Sequence, residues 1–172
     1  MKIKFISVFL STFISTITFA QSKLPKDFNE AFTRLKISAK YEATGFTKPS
    51  YLEADFNKDG VIDVAVLVVE KSTKKRGILI MHGGKNQYFI LGAGIKFGNG
   101  GNDFKWLKGW SLYVKNTAYE TTFNKDGDMT GSKKISLGKP ALYVHDLEDG
   151  LPTSGGIIYW TGQKYIWIHQ GE

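Results

Sequence analysis

No cysteine occurs in the 172 residues. Its absence excludes a disulfide framework, a thiolate metal centre, a thiol nucleophile and a lipid-modified cysteine anchor. Histidine is scarce as well: His82, His145 and His169 are the three present, and none falls in the H-E-x-x-H spacing of a zinc protease. No G-x-S-x-G nucleophile elbow is present. Asp146, Glu148 and Asp149 crowd one turn-rich stretch, but acid–base work depends on the spatial separation of carboxylates, which adjacency in a chain does not define. No residue is assigned a catalytic role. Beyond the first twenty residues, no run is long and apolar enough to cross a bilayer as a helix.

What is present begins with an export pattern. Lys2 and Lys4 precede an apolar stretch over 5–19, and Thr18-Phe19-Ala20 places small residues at −3 and −1 of a cleavage point before Gln21. Residues 1–20 are read as a secretory signal peptide, and 21–172 as one β-rich domain that is secreted or periplasmic. Fifteen apolar residues would make a helix of about 22 Å, short of the ~30 Å hydrocarbon core, which argues against an anchor. The chain carries +7; leaving out Lys2 and Lys4 brings the excess to +5. Its densest basic cluster is Lys71, Lys74, Lys75 and Arg76. Without interleaved aromatics this reads as a solvated hairpin turn and not as a nucleic-acid surface.

The most patterned stretch is Asp55-Phe56-Asn57-Lys58-Asp59-Gly60-Val61-Ile62-Asp63. Side-chain oxygens fall at places 1, 3, 5 and 9, and glycine at place 6. A hard cation takes six to eight oxygens at about 2.3–2.6 Å, which alternate residues of a tight loop can supply. The expected ligands of a structural calcium ion are Asp55, Asn57, Asp59, the backbone carbonyl of Val61, and Asp63. Position 12, Val66, is not the glutamate of an EF-hand, and the apolar run 64–69 is a strand rather than a helix. D-x-N-x-D-G-x-x-D leading into a β-branched strand resembles the calcium loop of FG-GAP and VCBS repeats, found in integrin-α-like propellers and bacterial surface proteins. That resemblance implies metal binding at the matching positions. The competing reading is an Asx-rich turn, since Asp and Asn readily bond their own backbone.

The rest of the chain sorts into one helix and many strands. Phe28, Ala31, Phe32 and Leu35 recur at helical spacing, predicting a helix over 24–39. Strands are expected at 64–69, 77–81, 87–91, 110–115, 118–123, 133–137, 141–144, 156–160 and 165–168, with 64–69 and 77–81 paired antiparallel across the basic turn. The fold class is mainly β: an antiparallel sandwich, barrel or curled sheet with one N-terminal helix. Phe56-Asn57-Lys58-Asp59-Gly60 recurs unchanged as Phe123-Asn124-Lys125-Asp126-Gly127 with fewer carboxylates, a β-turn or a degenerate second metal site.

Residues 92–101 hold five glycines and lack both the dinucleotide and the P-loop patterns. They read as a bulged loop or as a backbone-lined rim, with Asp103, Trp106 and Trp110 just beyond as candidate ligand contacts. Tryptophans beside a polar loop suit stacking on a sugar or peptide; buried, they are core. Together these features point to a secreted, calcium-binding, non-enzymatic β domain that binds an envelope or extracellular partner, protein or glycan. The alternatives are a small hydrolase or lyase acting on an envelope polymer, or a secreted enzyme inhibitor.

Overall fold

The computed structural model describes residues 23–171; the expected signal peptide lies outside them. The described chain is mainly β, with two short helices leading into eleven strands. Helix α1 spans Lys26–Arg34 and α2 spans Ile37–Lys40. The helix expected over 24–39 is therefore broken. Lys36 adopts φ +57°, a left-handed conformation that turns the chain between the two. The apolar face survives the break: Phe28, Ala31, Phe32 and Ile37 are all buried.

Strands β1 (Tyr41–Ala43) and β2 (Tyr51–Ala54) lie end to end along one edge of β3 (Asp63–Glu70), followed by β4 (Arg76–Met81) and β5 (Tyr88–Gly92). Every pairing is antiparallel, and β3 meets β4 across the basic turn as expected. A second sheet runs β11 (Tyr165–Gly171), β10 (Leu151–Trp160), β9 (Ala141–Glu148), β6 (Gly109–Tyr113). Strands β7 (Thr117–Phe123) and β8 (Met129–Ser136) form a separate hairpin.

The side chains alternate so that these pieces stack in layers. Ala65, Leu67, Ile78, Ile80 and Leu91 of the first sheet meet Trp110, Leu142, Val144, Ile158 and Trp160 of the second. The opposite face of the first sheet, Val66, Val68, Leu79 and Met81, is covered by the two helices. The opposite face of the second, with Ala141, Ile157 and Ile168, is covered by Ala118 and Ile135 of the hairpin and by Leu137. This explains the unbroken apolar run at 64–69: β3 is central and buried on both faces, so alternation is lost. Fully burying each such side chain contributes about 1.5–3 kcal/mol.

One irregularity positions the site. The register between β9 and β10 shifts between Pro152 and Gly155, a β-bulge. A β-carbon on Gly155 would stand 2.8 Å from His145 Cα, so only glycine fits where the bulged strand presses on β9. Bulges bend a strand end and re-aim its neighbours.

Candidate functional site

The Asp55–Asp63 loop is not a metal site. Among the described residues no group of three or more His, Cys, Asp or Glu side chains is placed to hold a metal ion. The oxygens expected to coordinate calcium accept backbone N–H groups instead. Asp55 takes Asp59 N at 3.0 Å and Gly60 N at 2.9 Å. Asn57 takes Asp59 N at 2.9 Å, and Asp59 takes Val61 N at 2.9 Å. Asp63 is fully buried and turned inward, accepting Phe56 N (2.9 Å), Asn57 N (3.3 Å) and Gly83 N (2.8 Å). Lys85 Nζ sits 2.6 Å from Asp59 Oδ2. The like-charge repulsion that a cation would relieve is thus met by peptide dipoles and one ammonium.

The ionisation of the loop follows from these contacts. The Lys85 ammonium, with Val61 N, holds Asp59 below the ordinary carboxylate range, and Asp59 in turn raises Lys85. Burial pushes Asp63 up, opposed by its N–H donors. The likeness to FG-GAP and VCBS loops rests on residue spacing alone. The second copy is also a turn: Asn124 Oδ1 accepts Asp126 N and Asp128 N, both at 2.9 Å.

Of the three expected ligand contacts, one faces a cavity. Trp110 is core, 3% exposed, with Nε1 donating to Pro49 O at 2.7 Å. Asp103 Oδ1 accepts Arg76 N at 2.9 Å and fixes the start of β4. Trp106 is half-buried and lines a slot of about 200 Å³. Its indole N–H donates to Gly100 O at 2.9 Å, which holds the ring in place.

Trp167 and His169 complete that wall, neighbours on the same face of β11, while Asn99, Ser154 and Gly155 form the rest. The two indoles meet edge to face, with centroids 6.0 Å apart and planes at 86°. Glycines make this possible. A β-carbon on Gly156 would stand 2.7 Å from Trp167 Cδ2, one on Gly100 3.0 Å from Cζ3, and one on Gly98 2.5 Å from Cγ. The glycine-rich segment is therefore a tight cover on Trp167, required by packing, and also a rim of the slot. Trp167 and His169 were missed by motif reading; their period-2 placement on an aromatic strand that ends beside a bulge is the only trace they leave in the chain.

The slot has a polar deficit. Among the described residues, three buried side-chain nitrogens reach no hydrogen-bond partner: Asn57 Nδ2, Trp167 Nε1 and His169 Nε2. Two of them belong to residues lining this slot. A buried donor left unpaired costs about 1–3 kcal/mol. Asn99 Nδ2 stands 3.4 Å from His169 Nδ1, and the Phe123 ring meets the imidazole edge to face at 5.3 Å. Among the described residues, no carboxylate lines the slot.

Two larger concavities are differently made. A cleft of about 620 Å³ lies between α1 and the turn at residues 82–86. Lys26 pairs with Glu30 at 3.6 Å, Lys85 with Asp59 at 2.6 Å, and Arg34 donates to Asn86 at 2.8 Å. His82 at its edge is 1% exposed and bonded to Tyr165 OH (2.9 Å) and Gln87 Oε1 (3.2 Å), within a cage of Phe89, Trp160 and Tyr165. Burial pushes the Tyr165 hydroxyl far up, so it remains a donor. A second hollow of about 440 Å³ lies beside Leu24, Thr44 and Val66. His82 and Asp103 share no cleft. Asp103 holds the first residue of β4 and His82 follows the last, about 20 Å apart at strand rise.

No helix among the described residues is long and apolar enough to cross a membrane. No family model, curated protein or solved structure matches the chain.

Proposed function

We propose that this chain is an exported recognition domain of the cell envelope, without chemistry of its own, that holds one saccharide unit of an envelope glycan in the slot lined by Trp106, Trp167 and His169. The observation that carries the reading is the pairing of two indoles with two unpartnered buried nitrogens on residues of one small cavity. An aromatic face takes the apolar face of a sugar ring, and the indole N–H seeks an acceptor at the ring's edge. The volume, about 200 Å³, is below the roughly 300–1,000 Å³ of sites for larger ligands and fits a single ring. Both nitrogens are closed to solvent, so pairing with a sugar oxygen must displace the tightly packed Gly98–Gly100 cover, a cost that binding has to offset. The export pattern at residues 1–20 supports the compartment.

The test is co-sedimentation of the purified chain with insoluble envelope glycan. The reading expects saturable binding that Trp106→Ala reduces at least tenfold while the unfolding temperature stays within a few degrees. Binding that is absent, or equally strong in Trp106→Ala, would overturn it.

A further inference from the structure

We propose that the end of the first sheet carrying the β3–β4 turn is a docking surface for an anionic lipid membrane. Five lysines from two parts of the chain meet there. Lys36 precedes α2 and Lys40 ends it; Lys71, Lys74 and Lys75 make the turn. Lys71 N donates to Lys40 O at 2.9 Å, and Lys71 Nζ donates to Ser38 O at 2.6 Å, which holds the two segments side by side. Glu70 is the buried carboxylate among them. It is 7% exposed, lies 3.2 Å from Lys40 Nζ and accepts the Thr73 hydroxyl. With Arg76 the basic residues number six; against Glu70, the exposed Glu42 opposite Val69 and Asp103 bonded to Arg76 N, they leave an excess of three of the +5 carried beyond residue 20. One end of the domain therefore holds more than half of its net charge.

Two further observations bear on this face. Lys36 and Lys74 both hold left-handed backbone, φ +57° and +60°, as does Lys58 (φ +60°) in the Asp55–Asp63 turn. Glycine or asparagine adopts that conformation at little cost, so asparagine can replace either lysine without disturbing its turn. Gly94 also lies directly on the Glu70 carboxylate: a β-carbon would stand 2.8 Å from Oε2. The next residue, Ile95, is 46% exposed.

The chemistry favours a lipid surface over a single acidic polymer. Lysine is a point charge on a flexible stem, suited to headgroup phosphates dispersed in a plane, while ordered recognition of one phosphate or carboxylate favours the arginine fork. Basic side chains flanking an exposed apolar residue are the usual composition of peripheral membrane contact, each lysine near an anionic surface contributing about fivefold in affinity. Docking here leaves the slot at Trp106 free and does not depend on the glycan reading.

The experiment is sedimentation of the purified chain with vesicles containing about 30% anionic lipid, beside vesicles of neutral lipid alone. The proposal expects binding to the anionic vesicles only, lost near 1 M salt where the Debye length is about 3 Å. The double variant Lys36→Asn with Lys74→Asn removes two charges and relieves both strained turns. Its affinity falls about 25-fold while its unfolding temperature is unchanged or higher. Trp106→Ala binds the vesicles like the parent chain. Equal binding to neutral vesicles, no binding to anionic ones, or a double variant with parental affinity would overturn the proposal. So would a soluble acidic polysaccharide that displaces the chain from vesicles at lower charge concentration than free anionic vesicles do, which would reassign the face to a polymer.

Discussion

Gly98 rests on the indole of Trp167 with no room for a side chain: a β-carbon there would stand 2.5 Å from Trp167 Cγ, and the backbone already holds φ +50°. This contact joins the glycine-rich segment to β11 and sets the height of the slot. Gly98→Ala must therefore displace either the indole or the turn. Overpacking of this kind costs about 1–3 kcal/mol, and the strained φ adds to it. At this chain size, thermal unfolding should show a midpoint lower by about 4–10 °C. An unchanged midpoint would mean that the segment is loosely held and that the slot has no fixed height.

The Asp55–Asp63 loop should be indifferent to calcium. Its carboxylates are satisfied by backbone N–H groups and by Lys85. A cation binding only the folded state at 100 times its dissociation constant would add about 2.7 kcal/mol. The expected result is the same unfolding midpoint, within 1 °C by about the error of such scans, in excess EDTA and in millimolar calcium. A calcium-specific rise would restore the metal.

Asp63 is the member of the loop on which folding depends. Asp63→Ala leaves the N–H groups of Asn57 and Gly83 without their acceptor, while Phe56 N keeps Ala54 O at 3.1 Å. Each buried orphan costs about 1–3 kcal/mol, so a loss of several kcal/mol is expected from urea unfolding. Asp55→Ala, at the exposed side of the loop, should cost far less. Equal losses would show that the inward turn of Asp63 carries no special weight.

Glu70 predicts an acid limb. The Thr73 hydroxyl and Lys40 hold its carboxyl below the ordinary range. A depressed carboxyl stabilises the fold at pH above its unfolded value, near 4.3, and that contribution fades as pH falls through the folded value. In Glu70→Gln, stability measured across pH 2–5, the range about those values, should fall less steeply than in the parent. Parallel acid limbs would rule out the coupling.

Nine of the eleven strands were legible because turn signals and β-branched runs mark them locally; β1 and β2, three and four residues long, carry no such mark. Antiparallel pairing of β3 with β4 followed from a short basic turn. The helix break at Lys36 was not, because a left-handed lysine leaves no mark in an amphipathic pattern. The acidic loop misled for a physical reason: an oxygen spaced for a cation is also spaced for an N–H, and Lys85 and Gly83, which decide between them, lie on a different turn. The slot was half visible. Trp106 stood out beside the glycines, but Trp167 and His169 join it only through the stacking of β11 under residues 98–101. Trp110, equally prominent in sequence, faces the core.

Glycan binding at the slot requires that ligand reach the Trp167 edge. The chain holds four tryptophans, Trp106, Trp110, Trp160 and Trp167, so its ¹⁵N-labelled form gives four indole N–H resonances. These should be followed during titration with soluble glycan strands released from envelope material. The predicted result is progressive movement of the Trp167 and Trp106 resonances, with Trp110, bonded to Pro49 O, and core Trp160 unmoved. Four stationary resonances at saturating glycan, or movement confined to Trp110 and Trp160, would contradict it.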